Sequence, residues 1–237
     1  MKKVISELCG DIVTKFKPVS VFLYGSRARG DFQKDSDYEI WILYPKDNKV
    51  TRVDLQSINL HKNINLYPFE YESFVQYEVD TPFPEKIYIR ELIESGMTLA
   101  GEKKIEEFTK PSIKILDLIE TARFNIAYAL AAVLSHRHSD QITARAEFHK
   151  SCLFGVRSLI IATEKKFPLT YFQIFSLSLK LNLGDEYNSV IQHAMDVRSG
   201  ANIDEIKLYK NISLLNKVVR KHLMQMFDKE GNATILR

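Results

Sequence analysis

Cysteine is scarce: Cys9 and Cys152 are the only two in 237 residues, far apart and each in an apolar helical context. With no CxxC and no Cys/His pairing, the sequence argues against a zinc site and against a disulfide framework. Free buried thiols fit a reducing cytoplasm. A strong charge imbalance is also missing. The formal net charge of +3 is too small to argue for nucleic acid or an acidic membrane surface. A mildly basic balance also suits an anionic phosphate substrate. Long apolar runs are absent, and the most apolar segment, residues 126–134, is too short for a membrane span. Residues 1–7, Met-Lys-Lys-Val-Ile-Ser-Glu, meet an acid before any apolar stretch, so no signal peptide is expected. There is no internal repeat and no low-complexity tract.

Proline nearly disappears partway along: six of the seven fall at or before Pro111. After that point the pattern turns to long helical periodicity, which predicts two domains, residues 1–106 and 107–237. In the first, apolar residues at helical intervals predict a helix over 2–16. Buried strands are predicted over 18–24 and 37–44 and a third over 64–69. A helix over 84–95 ends at Gly96, and a short strand follows at 97–99. In the second, helices are predicted near 111–135, 141–165, 170–181, 185–198 and 203–228, with Pro111 opening the first. The expected fold class is α+β: a small mixed-sheet domain followed by an all-α helical bundle.

The chemistry concentrates between Leu23 and Trp41. A strand ends in Gly25-Ser26, a polar turn follows, and a second strand begins with Asp37-Tyr38-Glu39. Alternate residues of a strand share a face, so Asp37 and Glu39 point the same way, about 7 Å apart. Two carboxylates so placed converge on one hard cation, and magnesium completes its shell with phosphate oxygens. Gly25 lets the backbone pass close to a ligand. Ser26 offers a hydroxyl and an N–H to phosphate, while Arg27 and Arg29 can neutralise a triphosphate. A phosphate-binding turn, arginines and paired acids are the parts that phosphoryl chemistry needs.

Gly25-Ser26, ten intervening residues and Asp37-x-Glu39 resemble the signature of the polymerase-β-like nucleotidyltransferase superfamily. Ala28-Arg29-Gly30 and Ser36-Asp37 resemble its minimal branch, and the Asp-x-Glu form is similar to kanamycin-type aminoglycoside nucleotidyltransferases. The resemblance implies that Asp37 and Glu39 bind Mg²⁺ and that Ser26 and Arg29 hold the phosphates of an NTP, with ATP the expected donor. The implied reaction moves a nucleoside monophosphate to a hydroxyl of a small molecule, with an aminoglycoside-like acceptor as the leading expectation. The superfamily places a third carboxylate on a later strand. Asn65 aligns there, and Glu70 or Glu72 just beyond is the expected substitute metal ligand. Glu120 is the positional match to the kanamycin-type general base. Two alternatives stay open: a protein-adenylylating enzyme of the antitoxin type, and a nucleotide-binding module without turnover. The bundle resembles acceptor-binding helical domains or a HEPN-like scaffold, although Arg145 and His149 are spaced too closely for the HEPN ribonuclease pair. Expected partners are the nucleoside triphosphate and the acceptor, without membrane or nucleic acid, and a homodimer is left open.

Overall fold

The fold, described from a computed structural model for residues 2–59, 61–79 and 81–237, divides into two compact units, 1–111 and 112–237. The division falls at Pro111, five residues past the boundary of 106 expected from the sequence.

Unit 1 runs α1 (Lys2–Phe16), β1 (Ser20–Tyr24), α2 (Gly25–Arg29), β2 (Tyr38–Tyr44), α3 (Arg52–Gln56), β3 (Ile64–Glu70), α4 (Tyr71–Val75), α5 (Glu85–Ser95), β4 (Met97–Gly101) and α6 (Lys104–Glu107). Its sheet has the order β3-β2-β1-β4. β1 is antiparallel to both β2 and β4, and β2 is parallel to β3. A parallel pair needs a crossover, and the segment carrying α3 supplies it. β1 is buried on both faces, which explains why its sequence reads as a continuous apolar run rather than an alternation. Val21, Leu23, Ile40 and Ile42 face Leu8, Cys9, Ile12 and Phe16 of α1. The opposite face carries Phe22, Tyr24, Trp41 and Leu43 against Ile89 and Leu92 of α5 and Phe74 of α4. Alternation along β2 therefore sends Trp41, and with it Glu39, to the α5 side.

Unit 2 is helical: α7 (Ile115–Arg137), α8 (Gln141–Glu164), α9 (Tyr171–Ser178), α10 (Asp185–Arg198), α11 (Glu205–Ser213) and α12 (Lys221–Glu230). Pro111 does not open the first of them. Ile113–Lys114 instead form a short strand, β5, antiparallel to β6 (Thr234–Leu236). α7 then begins at Ile115, with Asp117 accepting from the Lys114 N–H at 2.7 Å. The long last helix expected over 203–228 is interrupted by a π-helical stretch, Leu214–Arg220. Leu215 in that stretch presses on α8 at Gly155, where any Cβ would collide with its side chain. α7 is longer than the apolar run inside it. At 23 residues it is long and apolar enough, by length and composition alone, to cross a membrane. Here it packs along α8 and buries Ile115, Leu118, Ile119, Ala122, Ala129 and Ala132.

Candidate functional site at the turn between β1 and β2

β1 delivers the chain to the site at Tyr24, which pairs with Glu39 across β1 and β2. The next residue, Gly25, has φ +76°, a left-handed conformation costly for any residue with a Cβ. A Cβ there would also collide with Oε2 of Glu39. The backbone conformation thus favours glycine, and the Glu39 carboxylate lies over the Gly25 backbone, where a Cβ would displace it. What the sequence suggests is a plain turn proves to be a single helical turn, α2, closed by Gly30 (φ +81°) with its N–H on the Ser26 carbonyl. The Ser26 side chain is half-buried and makes no hydrogen bond among the described residues, so its hydroxyl remains available to a ligand.

The two arginines of the motif do not present themselves to a triphosphate, which corrects the expectation for both. Arg27 donates to the Ser36 carbonyl at 2.9 and 3.1 Å and to the Lys34 carbonyl at 3.0 Å. Its guanidinium lies 4.1 Å from the Phe32 ring centroid and 4.6 Å from that of Tyr38. It braces the loop that ends at Asp37. Arg29 is only 5% exposed and donates to Glu91 of α5 at 2.9 Å, with Asp31 3.4 Å away. Charges this deep are tolerated only when paired, so Arg29 anchors α2 to α5 and its fork is already engaged.

Asp37 sits one residue before β2 and is exposed. Its Oδ2 accepts from the Asn65 amide at 3.3 Å. Glu39, half-buried, lies opposite Asn65 in the parallel register of β2 and β3. Asn65 thus bonds to Asp37 and pairs with Glu39, and Glu39 lies against Gly25, the residue before Ser26. Asn65 occupies the position that aligns with a third acid, and there it donates a hydrogen bond that an ionised carboxylate cannot supply.

Glu70 does not join them, contrary to the expected metal role. It pairs with Tyr44, five residues further along β2 than Glu39, which is about 17 Å at the usual rise per residue. Its Oε1 accepts from Ser73, and Glu72 accepts from the Lys46 N–H at 3.1 Å. Glu70 thus serves the start of α4, and Glu72 ties α4 to the loop after β2. Glu120 lies on α7 in unit 2, exposed, and makes no ion pair or hydrogen bond among the described residues, including with Arg123. In unit 2, His149 is 7% exposed, with its Nδ1 2.9 Å from the Arg145 carbonyl oxygen. Burial lowers its pKa to about 3. It is a neutral core histidine, with none of the exposure a nuclease pair requires.

Behind the acids stands an aromatic layer that the motif does not announce. Trp41 is 2% exposed and stacks on Phe69 at 4.1 Å and on Tyr67 at 5.2 Å. Tyr24 and Tyr88 meet its ring edge-on at 6.0 and 5.6 Å. The Tyr67 and Tyr88 hydroxyls are both held above their ordinary pKa, first by burial and then by the charge of Glu39. The Glu39 carboxylate therefore lies close enough to both phenols to act on their ionisation. The strict alternation Asn65, Tyr67, Phe69 in β3 is the sequence signal that could have found Tyr67. Nothing in α5 marks Tyr88 or Glu91, because their roles depend on tertiary packing.

Among the described residues no three His, Cys, Asp or Glu side chains converge on one point. Two hard oxygen donors, Asp37 and Glu39, suit magnesium held partly by a substrate's phosphates, the manner in which that ion is usually bound.

Comparison with known proteins agrees with the fold. The family model described as the nucleotidyltransferase domain matches residues 5–115. Among solved structures, spectinomycin adenyltransferase AAD(9) from Enterococcus faecialis, crystallised with ATP and spectinomycin, superposes with a TM-score of 0.53 at 12% identity. That superposition covers 89% of this chain and 97% of the other. At this identity the likeness is one of fold. No curated protein matches the sequence.

Proposed function

We infer, from the premise that residues 5–115 belong to the nucleotidyltransferase domain family, that the protein transfers a nucleoside monophosphate from an NTP to a hydroxyl group. The observation that carries this reading is the junction of Asp37, Glu39 and Asn65 beside Gly25 and Ser26. ATP is the donor we assign, and the acceptor is a small hydroxyl compound. Asp37 and Glu39 would hold magnesium, which would supply charge neutralisation at the phosphate oxygens.

The chain's own groups perform the rest. Ser26 and the N–H groups opening α2 receive the β- and γ-phosphates. Arg27 and Arg29 position the loop and α2 so that both carboxylates keep their aim. Asn65 holds one oxygen of Asp37, leaving the other free. The acceptor oxygen bonds to the α-phosphorus, and its proton passes to the free oxygen of Asp37. The α–β phosphoanhydride bond breaks, and its electron pair leaves with pyrophosphate. The aromatic layer keeps water away from the inner side of Glu39, which strengthens its interactions.

Transfer of label from [α-³²P]ATP to a panel of hydroxyl acceptors tests the reaction. Asp37→Ala is expected to lower transfer by roughly 10²–10³-fold, and equal transfer by that variant would contradict the mechanism. Glu120, exposed and unpaired, is the second carboxylate to which the proton could be assigned. Glu120→Gln is expected to retain kcat within about threefold, whereas a general base is worth roughly 10²–10⁴-fold. A loss of that size would move the role from Asp37 to Glu120. Asn65, in place of an acid, favours a second reading, nucleotide binding without turnover. Saturable NTP binding with no transfer across the panel would establish it.

A further inference from the structure

The sheet order bears on the side from which an acceptor would enter the site. The strands lie in the sequence β3-β2-β1, each about 4.8 Å from the next. Ser26 follows β1, Glu39 lies in β2 with Asp37 just before it, and Asn65 belongs to β3. Phosphoryl transfer places the attacking and leaving oxygens roughly in line with the phosphorus. With the leaving pyrophosphate above the β1–α2 turn and the α-phosphorus against the acids of β2, the nucleophile arrives over β3. A hollow of about 310 Å³ lies there, between α3 and the edge strand β3. That is the size of a small ligand site.

Its lining is distinctive in charge. Arg52, Gln56, Asn59, Asn65 and Tyr67 are its polar residues, and no Asp or Glu lines it. The Asn59 amide is committed to local structure, donating to the Ile64 carbonyl at 2.7 Å and accepting from the His61 N–H at 3.0 Å. Arg52 makes no ion pair or hydrogen bond among the described residues, and its guanidinium lies 5.7 Å from the Tyr67 ring centroid. Thr51 and Asp54 cap α3 reciprocally, which fixes the backbone from which Arg52 projects. Arg27 and Arg29 are both engaged elsewhere, whereas Arg52 keeps its full fork for a ligand. Guanidinium forks recognise carboxylate and phosphate with two parallel hydrogen bonds.

We propose that the hollow between α3 and β3 is the acceptor subsite and that Arg52 selects an acceptor carrying an anionic group, a carboxylate or phosphate, near its reactive hydroxyl. The proposal rests on the nucleotidyltransferase reading and narrows it. A polycationic acceptor of the aminoglycoside kind is disfavoured, because it would meet a cation and no compensating acid in the hollow.

The test uses saturation-transfer NMR on the full chain with three matched three-carbon alcohols: glycerol 3-phosphate, glycerol and the cationic 2-amino-1,3-propanediol. Each is measured with and without Mg²⁺ and α,β-methylene-ATP, whose own affinity is determined in parallel. Glycerol 3-phosphate is expected to bind best. Arg52→Glu is expected to weaken it at least tenfold and Arg52→Lys much less, with α,β-methylene-ATP affinity unchanged within twofold in both. Preference for the amino alcohol, or glycerol 3-phosphate binding indifferent to Arg52, overturns the proposal while leaving nucleotide binding intact. A parallel loss of α,β-methylene-ATP affinity in Arg52→Glu also overturns it, by placing Arg52 on the donor side. Failure of the wild-type chain to bind α,β-methylene-ATP removes the underlying reading and this proposal with it.

Discussion

Gly25 is the residue whose identity the site constrains most tightly, by its φ of +76° and by the Glu39 carboxylate against it. Gly25→Ala is expected to destabilise the protein by about 1–3 kcal/mol through backbone strain alone. The displaced Glu39 should abolish nucleotide binding as well. Gly10→Ala is the matched control, since Gly10 lies in α1 with open space where the new methyl would stand. It should stabilise by up to about 1 kcal/mol. Urea denaturation of both variants checks the pair, and equal stabilities would refute the account of Gly25. At this scale the sequence was informative wherever function and motif are local. Gly25 and Ser26 follow β1 and Glu39 lies in β2 as the pattern predicts, whereas Asp37 falls just before β2. It misled for Arg27 and Arg29, whose chemistry suits phosphate but whose partners were hidden. Glu91 is 62 positions from Arg29, and the groups that capture Arg27 are backbone carbonyls, which carry no side-chain signature. The aligned Asn65 was found, yet its hydrogen bond to Asp37 follows from strand register, not from its own neighbours in sequence.

Elements with strong periodicity were legible: α1, the strands β1 to β3, α5 and α8 to α10 follow their apolar patterns within a few residues. Single-turn helices such as α2, α3 and α4 were not, because five residues are too few to display a helical period. The β5–β6 pair escaped notice because it joins residues more than a hundred positions apart. The π-helical stretch escaped too; Leu215 within it packs closely on Gly155 of α8. α8 also carries a consequence for pH. His149 is buried, and desolvation chiefly lowers its pKa from 6.5 to about 3. The unfolded chain therefore binds one more proton than the folded one between those two values. Stability is complete above pH 6.5 and is lost as pH falls toward 3, with a limiting slope of about 1.4 kcal/mol per pH unit. Thermal unfolding between pH 7 and 5 should show the wild-type melting temperature falling more steeply than that of His149→Phe. Parallel curves for the two proteins would rule out His149 as the source.

At the scale of the whole molecule, each of the two units carries its own buried core, and Gly25, Ser26, Asp37, Glu39, Asn65 and Arg52 all lie in unit 1. Proline and strand-forming residues give way to uninterrupted helical periodicity near residue 111, where the chain divides into the two units. The α+β class follows from the same change of pattern. Composition could not foretell the arrangement of β1, β2 and β3 side by side, on which the in-line argument depends. Sheet order is a long-range property set by which faces bury together. The proposed nucleotide site, formed by Asp37, Glu39 and the β1–α2 turn, depends on a divalent cation. Calorimetric titration of α,β-methylene-ATP into the wild-type chain and into Glu39→Gln, each with and without Mg²⁺, tests it most directly. The account predicts one saturable site per wild-type chain that requires Mg²⁺ and is lost in Glu39→Gln. Binding that persists without the metal, or is equal in the variant, would contradict it.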